Sequence, residues 1–141
     1  MIETKVRDVM THEVVYLPAD STVDQAARAM RERDIGDIVV TEGPTLAGVV
    51  TDRDIVLRAV AERQDPVTTS VGTIASRDLV MIEQDASTEE AADVMRQRAV
   101  RRLLVCDNDR QLVGIVSLGD LAMASDPHSA LSDISEAAPN N

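Results

Sequence analysis

The sequence predicts an α+β fold with mixed α/β layering: two pseudo-symmetric β-α-β-β-α repeats packed sheet to sheet. Three observations carry that expectation. A shift of 65 residues superimposes the halves, so that Val6 meets Val71, Val15 meets Val80, Asp20 meets Asp85 and Met30 meets Met95. After Val40 and Val105 the register moves by one, and Leu46, Gly48, Val50 and Asp54 meet Leu112, Gly114, Val116 and Asp120. Each half also shows the same change of hydrophobic period, from strand to helix and back. Finally, 141 residues with 44% hydrophobic and 28% charged content suit one compact domain, or two half-size units sharing a core.

The elements follow in order. Residues 14–17 (VVYL) and 79–82 (LVMI) read as short strands. A helix comes next, with one apolar face made by Val23, Ala26, Ala27 and Met30, and in the second half by Ala91, Ala92, Met95 and Ala99. Both helices open on a predicted capping box, Thr22 with Gln25 and Ser87 with Glu90. Continuous apolar strands are expected at 38–40 and 103–106, polar turns at 42–45 and 107–110, and hairpin partners at 46–50 and 112–116. A second helix, 52–63 in one half and 118–124 in the other, completes each unit.

That order fixes a topology. A strand, a crossover helix and a second strand favour parallel neighbours, and the tight turn then makes the last two strands antiparallel. A repeat of some 55 residues buries too little surface to be comfortable alone, so the two should share a core. The expected organisation is repeat 1 over 5–63, a polar linker over 64–70 carrying Pro66, repeat 2 over 71–125, and a polar, small-residue tail over 126–141.

Composition excludes several classes. Twenty-five acidic against 14 basic side chains leave a net charge of -11. That balance argues against a nucleic-acid partner, and Tyr16, the single aromatic residue, offers no stacking platform. No apolar run approaches the roughly 20 residues needed to cross a bilayer, and no signal-peptide core follows Met1, so no membrane partner and a cytoplasmic location are expected. Cys106 alone cannot form an internal disulfide and reads as a small buried hydrophobe. His12 and His128 give no metal-ligand spacing, and the aspartates at 107 and 109 lack calcium-loop spacing. Met10, Met30 and Met95 read as core fillers. With no nucleophile–base pair, no metal set and no required cofactor, the sequence reads as a non-enzyme.

The informative segments are GVVTDRD, 48–54, and GIVSLGD, 114–120. Each reads glycine, two β-branched residues, a hydroxyl, two more residues and an aspartate, with a strand ending and a helix starting at the hydroxyl. One reading is structural, because [Ser/Thr]-x-x-Asp is a helix-capping pattern. The other is functional. An ionised aspartate only accepts hydrogen bonds and suits a ribose diol, while a helix N-terminus attracts anions, so one motif could hold a ribose and a nearby phosphate.

The duplicated β-α-β-β-α unit, these two endings and the VRRLLV segment at 100–105 together resemble a CBS-domain pair, of the short bacterial type without an attached enzyme or channel. The resemblance spans about residues 5–125. It implies a regulatory module that binds an adenosine-containing ligand (AMP, ADP, ATP, S-adenosylmethionine or an NAD-like molecule) in two clefts between the repeats. Carried over residue by residue, one cleft would use Thr51 and Asp54 with Ser76, Val80 and Val100. The other would use Ser117 and Asp120 with Thr11, Val15 and Ile35.

The clefts differ in charge. Where family members often carry phosphate-binding bases, repeat 2 has Arg101 and Arg102, and repeat 1 has Gly36 and Asp37. An arginine fork can make two bonds to phosphate oxygens, whereas an aspartate repels them. The Thr51/Asp54 cleft, served by Arg101 and Arg102, is therefore the expected site of a phosphorylated ligand, unless the pair are only solvated charges balancing an acidic surface. The second helices suggest a further partner. Ile55, Val56, Ala59 and Val60 make a broad apolar face with Leu57 outside it, and Leu118, Leu121, Ala122 and Met123 surround the matching helix. Either they only cover their own sheets, or they pair two copies of the chain, as the resemblance implies. The competing function is a ligand-free dimerisation or docking module. The downstream protein is not named by the sequence.

Overall fold

The computed structural model describes residues 3–125; the expected tail and His128 lie outside them. The described residues form two compact units: 3–13 with 80–125, and Val14–Leu79. The sequence repeats and the compact units are therefore offset. The opening segment of each repeat, 6–13 or 71–79, folds with the body of the other repeat.

In the Val14–Leu79 unit, β1 (Tyr16–Pro18), β2 (Asp37–Glu42) and β3 (Thr45–Thr51) form a sheet in that order, β1 parallel and β3 antiparallel to β2. The other unit repeats the arrangement with β4 (Met81–Glu83), β5 (Arg102–Cys106) and β6 (Leu112–Ser117). The mixed α+β class and both pairings match expectation. The first strands begin two residues later than predicted; Val15 and Val80 meet the central strand through their carbonyls, which accept from the amides of Val39 and Leu104 at 2.9 Å. No helix among the described residues is long and apolar enough to cross a membrane.

The single-residue slip between the repeats is located by the hairpins. Thr45 pairs with Glu42 around the two-residue turn Gly43-Pro44, with Gly43 at φ 61°. In repeat 2 the Asp107 amide bonds the Gln111 carbonyl at 2.9 Å around three residues, with Arg110 at φ 63°. A three-residue loop closed by a left-handed residue is a common hairpin connection. The Asp107 carboxylate accepts from the amides of Asp109 and Gln111, both at 2.9 Å, so this aspartate serves the turn. Both hairpins carry a bulge at the same place, after Val40 and after Val105.

Helices α2 (Val23–Arg33) and α4 (Thr88–Arg98) cover the sheets, α1 (Val6–Val9) being a single turn. The Thr22/Gln25 box closes in both directions, at 3.1 and 2.8 Å. At the second helix only half of the expected box forms: Ser87 Oγ accepts from the Glu90 amide at 3.0 Å. The segment read as a linker docks on α2, where the Thr69 and Pro66 carbonyls take the amides of Val23 and Asp24 at 2.9 Å. These amides have no partner inside the helix, so the docking satisfies donors that would otherwise be orphaned.

The second helix of repeat 1 departs from expectation. After α3 (Asp52–Asp54) the chain is π-wound over Ile55–Val60, with the Ala61 and Gln64 amides reaching back five residues, to Val56 and Ala59, at 2.9 Å. The wider winding breaks the predicted apolar face. Ala59 is buried and Ile55 half-buried, while Val56 and Val60 are 56% and 66% exposed. Its counterpart α5 (Leu118–Ser125) buries Leu121 and exposes Leu118.

Each unit has its own core. Val23, Ala26, Met30, Ile38, Val40 and Val50 are joined by Val71, Ile74 and Ala75 from the exchanged segment. Ala91, Met95, Leu103, Val105 and Val116 are joined by Val6 and Met10. Cys106 is buried, its thiol directed at the Ile82 carbonyl at 3.6 Å.

Candidate functional site

Each unit contains one corner where the last strand passes into the second helix, and the two are built alike. In the first, Thr51 Oγ1 accepts from the Asp54 amide at 3.0 Å, and Asp54 Oδ2 accepts from the Thr51 amide at 2.9 Å. In the second, Ser117 Oγ accepts from the Asp120 amide at 3.1 Å, and Asp120 Oδ2 from the Ser117 amide at 2.8 Å. The capping reading of both motifs is thus realised in full. Each aspartate commits one carboxylate oxygen, Oδ2, to the backbone, and Oδ1 stands outside the cap. A carboxylate has about four lone-pair sites, so capping leaves room for a ligand hydroxyl.

The exchanged segments complete the corners. Val49 and Ser76 exchange backbone hydrogen bonds at 2.9 Å each way, and Ile115 and Thr11 do so at 3.0 and 2.8 Å. Ser76 thus lies in one unit with Thr51 and Asp54, and Thr11 in the other with Ser117 and Asp120, as both expected sets require. The remaining residues fall differently. Val15 and Ile35 belong to the unit of Thr51 and Asp54, where they pack on its core. Val80 is a core member, and Val100 packs against the core, in the unit of Ser117 and Asp120. Each expected set therefore draws residues from both units.

The charged pair is placed by the ladder. Arg102 stands opposite Ser117, and the Arg101 carbonyl accepts from the Leu118 amide at 2.8 Å. In the other unit Asp37 stands opposite Thr51, and the Gly36 carbonyl accepts from the Asp52 amide at 3.0 Å. Arg101 is exposed, while Arg102 and Asp37 are half-buried. The charge contrast read from sequence is thus built into equivalent ladder positions.

Two features were missed by sequence reasoning. A Cβ on Gly48 would lie 2.6 Å from the Ser76 carbonyl oxygen, and one on Gly114 would lie 2.8 Å from that of Thr11, so the motif glycines admit the exchanged segments. Arg58 was also overlooked. Its Nε lies 3.8 Å from Asp54 Oδ1, and its Nη1 donates to the Ile74 carbonyl at 3.1 Å. The i, i+4 spacing from Asp54 was the available signal. Among the described residues, no three His, Cys, Asp or Glu side chains come together as a metal site.

Comparison with known proteins agrees with this fold. The CBS-domain family pattern matches twice, over residues 6–60 and 71–126. The CBS domain-containing protein YhcV of Bacillus subtilis is 40% identical over 120 residues, which are 85% of this chain and 84% of that protein. A protein with CBS domains from Burkholderia ambifaria superposes with a TM-score of 0.79 at 26% identity, covering 89% of this chain and 96% of the other. A hexameric CBS-CP12 protein from bloom-forming cyanobacteria gives 0.77 at 26% identity, over 92% and 78%. With both repeats matched and the two corners formed alike, the chain belongs to the CBS-domain family and carries a tandem pair.

Proposed function

We propose that this CBS pair is a non-enzymatic regulatory module whose corners bind an adenosine-containing ligand: AMP, ADP, ATP, S-adenosylmethionine or an NAD-like molecule. One observation carries the reading. Both corners keep a half-buried aspartate, Asp54 and Asp120, whose Oδ2 accepts from a backbone amide and whose own amide donates to the motif hydroxyl, leaving Oδ1 outside the cap. A fixed acceptor of this kind suits a ribose hydroxyl, and Arg101 and Arg102 supply charge for a phosphate. No required cofactor enters this function.

A thermal-shift screen with AMP, ATP, S-adenosylmethionine and NAD tests it. A ligand at 100 times its dissociation constant adds about 2.7 kcal/mol to the folded state and raises the melting temperature. No shift with any of the four at millimolar concentration overturns the ligand reading.

A second reading rests on a separate observation. Val56, Leu57 and Val60 are exposed together on the π-wound turn, and Leu118 is exposed on α5. Clustered apolar side chains of this kind mark association surfaces. They support self-association through helices 52–63 and 118–124, to a homodimer at least, and the hexameric CBS-CP12 relative is consistent with that. A monomer mass by light scattering at micromolar concentration would remove this reading.

A further inference from the structure

The two corners share a cap and differ in what faces the second carboxylate oxygen. Asp54 Oδ2 is committed to the Thr51 amide, so Oδ1 is the acceptor left for a ligand hydroxyl. Oδ1 is also the atom that Arg58 approaches, while the same guanidinium donates to the Ile74 carbonyl. Two residues beyond Ile74 is Ser76, whose backbone pairs with Val49 in the strand that ends at the corner. Arg58 therefore stands between the candidate ligand carboxylate and the exchanged segment. The Asp54 side chain is only 16% exposed, against 54% for Arg58, so solvent screens this pair less than a surface one. In the other unit the residue matching Arg58 is Ala124, which carries no charge.

Building on the reading that a ligand hydroxyl engages these carboxylates, we infer that Arg58 is a positioning residue coupling occupation of Asp54 to segment 71–76. The Thr51–Asp54 corner reports its ligand; the Ser117–Asp120 corner holds one without reporting it. The physical cause is competition for one oxygen. A hydroxyl arriving at Oδ1 weakens the tie to Arg58, and the rigid planar guanidinium carries the displacement from Nε to Nη1 and so to the Ile74 carbonyl. Segment 71–76 leads along the chain to Val80, where the other unit resumes. Linkage makes the effect reciprocal: a change in that segment alters affinity at Asp54.

Amide hydrogen exchange at Ser76 and Thr11 tests the inference, in the full chain with and without AMP. Without ligand, Arg58→Ala and Asp54→Asn should each speed exchange at Ser76 roughly tenfold, and the double variant no further. Asp120→Asn should leave Thr11 unchanged. Arg58→Lys keeps the charge but not the fork; it should bind AMP yet lose the AMP-induced change at Ser76 seen in the wild type. Additive effects of the two single substitutions, an equal response at Thr11 to Asp120→Asn, or an AMP response that survives in Arg58→Lys would overturn the coupling. Failure of AMP to bind by calorimetry strikes the ligand reading instead, and the ligand-free comparisons still decide the coupling.

Discussion

Ser76 and Val49 exchange both of their backbone hydrogen bonds at 2.9 Å, and the residue before Val49 can only be glycine because of it. The Ser76 carbonyl comes so close that a methyl group on Gly48 would sit 2.6 Å from its oxygen, with the Ala75 side chain at 3.3 Å. Backbone on both sides cannot yield as a flexible side chain would. Gly48→Ala is therefore expected to cost about 2 kcal/mol or more, read as a lower urea midpoint with an unchanged slope. At Gly114 a methyl group would meet the buried Met10 sulfur at 2.7 Å and the Thr11 carbonyl oxygen at 2.8 Å, so Gly114→Ala should destabilise in the same way.

The helix ends offer a change in the other direction. Ala99 closes α4 at φ 54°, and Asp34 closes α2 at φ 55°. Alanine in the left-handed region carries a steric penalty that glycine lacks, while aspartate tolerates that region better. Ala99→Gly should stabilise the protein by about 0.5–1 kcal/mol, and Asp34→Gly by less. Parallel thermal melts of the two variants make the comparison.

Capping and ligand binding at the corners can be separated by substitution. Thr51→Ala removes the oxygen that accepts from the Asp54 amide and should lower stability by about 1 kcal/mol. Asp54→Asn keeps an oxygen for the Thr51 amide and loses the charge. It should melt within a few degrees of the wild type, yet lose most of the stabilisation given by an adenosine ligand. A variant that keeps the full ligand-induced shift would remove Asp54 from the site.

The contrast between Arg102 and Asp37, at matching ladder positions, makes a prediction about charge. Arg102→Ala should weaken binding of a phosphorylated adenosine ligand by about tenfold, and Asp37→Ala should weaken it little or strengthen it. Equal affinities of the two variants by calorimetry would dismiss the charge asymmetry.

At the exposed π-wound turn, Leu57→Glu with Val60→Glu should leave the melting temperature of dilute protein nearly unchanged, because neither side chain is in the core. The same pair should halve the mass seen by light scattering if two copies meet there.

What could be read from sequence was whatever the duplication repeats. Val6 with Val71, and Gly48 with Gly114, recur in order, so two copies of one element string were visible, and the helices followed from apolar spacing. The motif aspartates were visible for the same reason. The resemblance grouped Ser76 with Thr51 and Thr11 with Ser117, but the main-chain contacts that hold them there were hidden. Nothing in the pattern around Ser76 or Thr11 says that their backbones extend a strand in the body of the other repeat, since hydrogen bonds between main-chain groups leave no mark on residue type. The motif glycines were the trace they did leave. The π winding at Ile55–Val60 was likewise illegible, because one extra residue per turn changes which side chains align without changing which are apolar. Arg58 escaped notice because its second partner is the carbonyl of Ile74, sixteen residues away.

The offset between repeat and compact unit makes each repeat dependent on the other for its stability. Val71, Ile74 and Ala75 close the core of the first repeat, and Val6 and Met10 close that of the second. Neither repeat, taken alone, contains the segment that closes its own core. Cutting the present chain at residue 64 should give halves that fold poorly apart and recover when mixed.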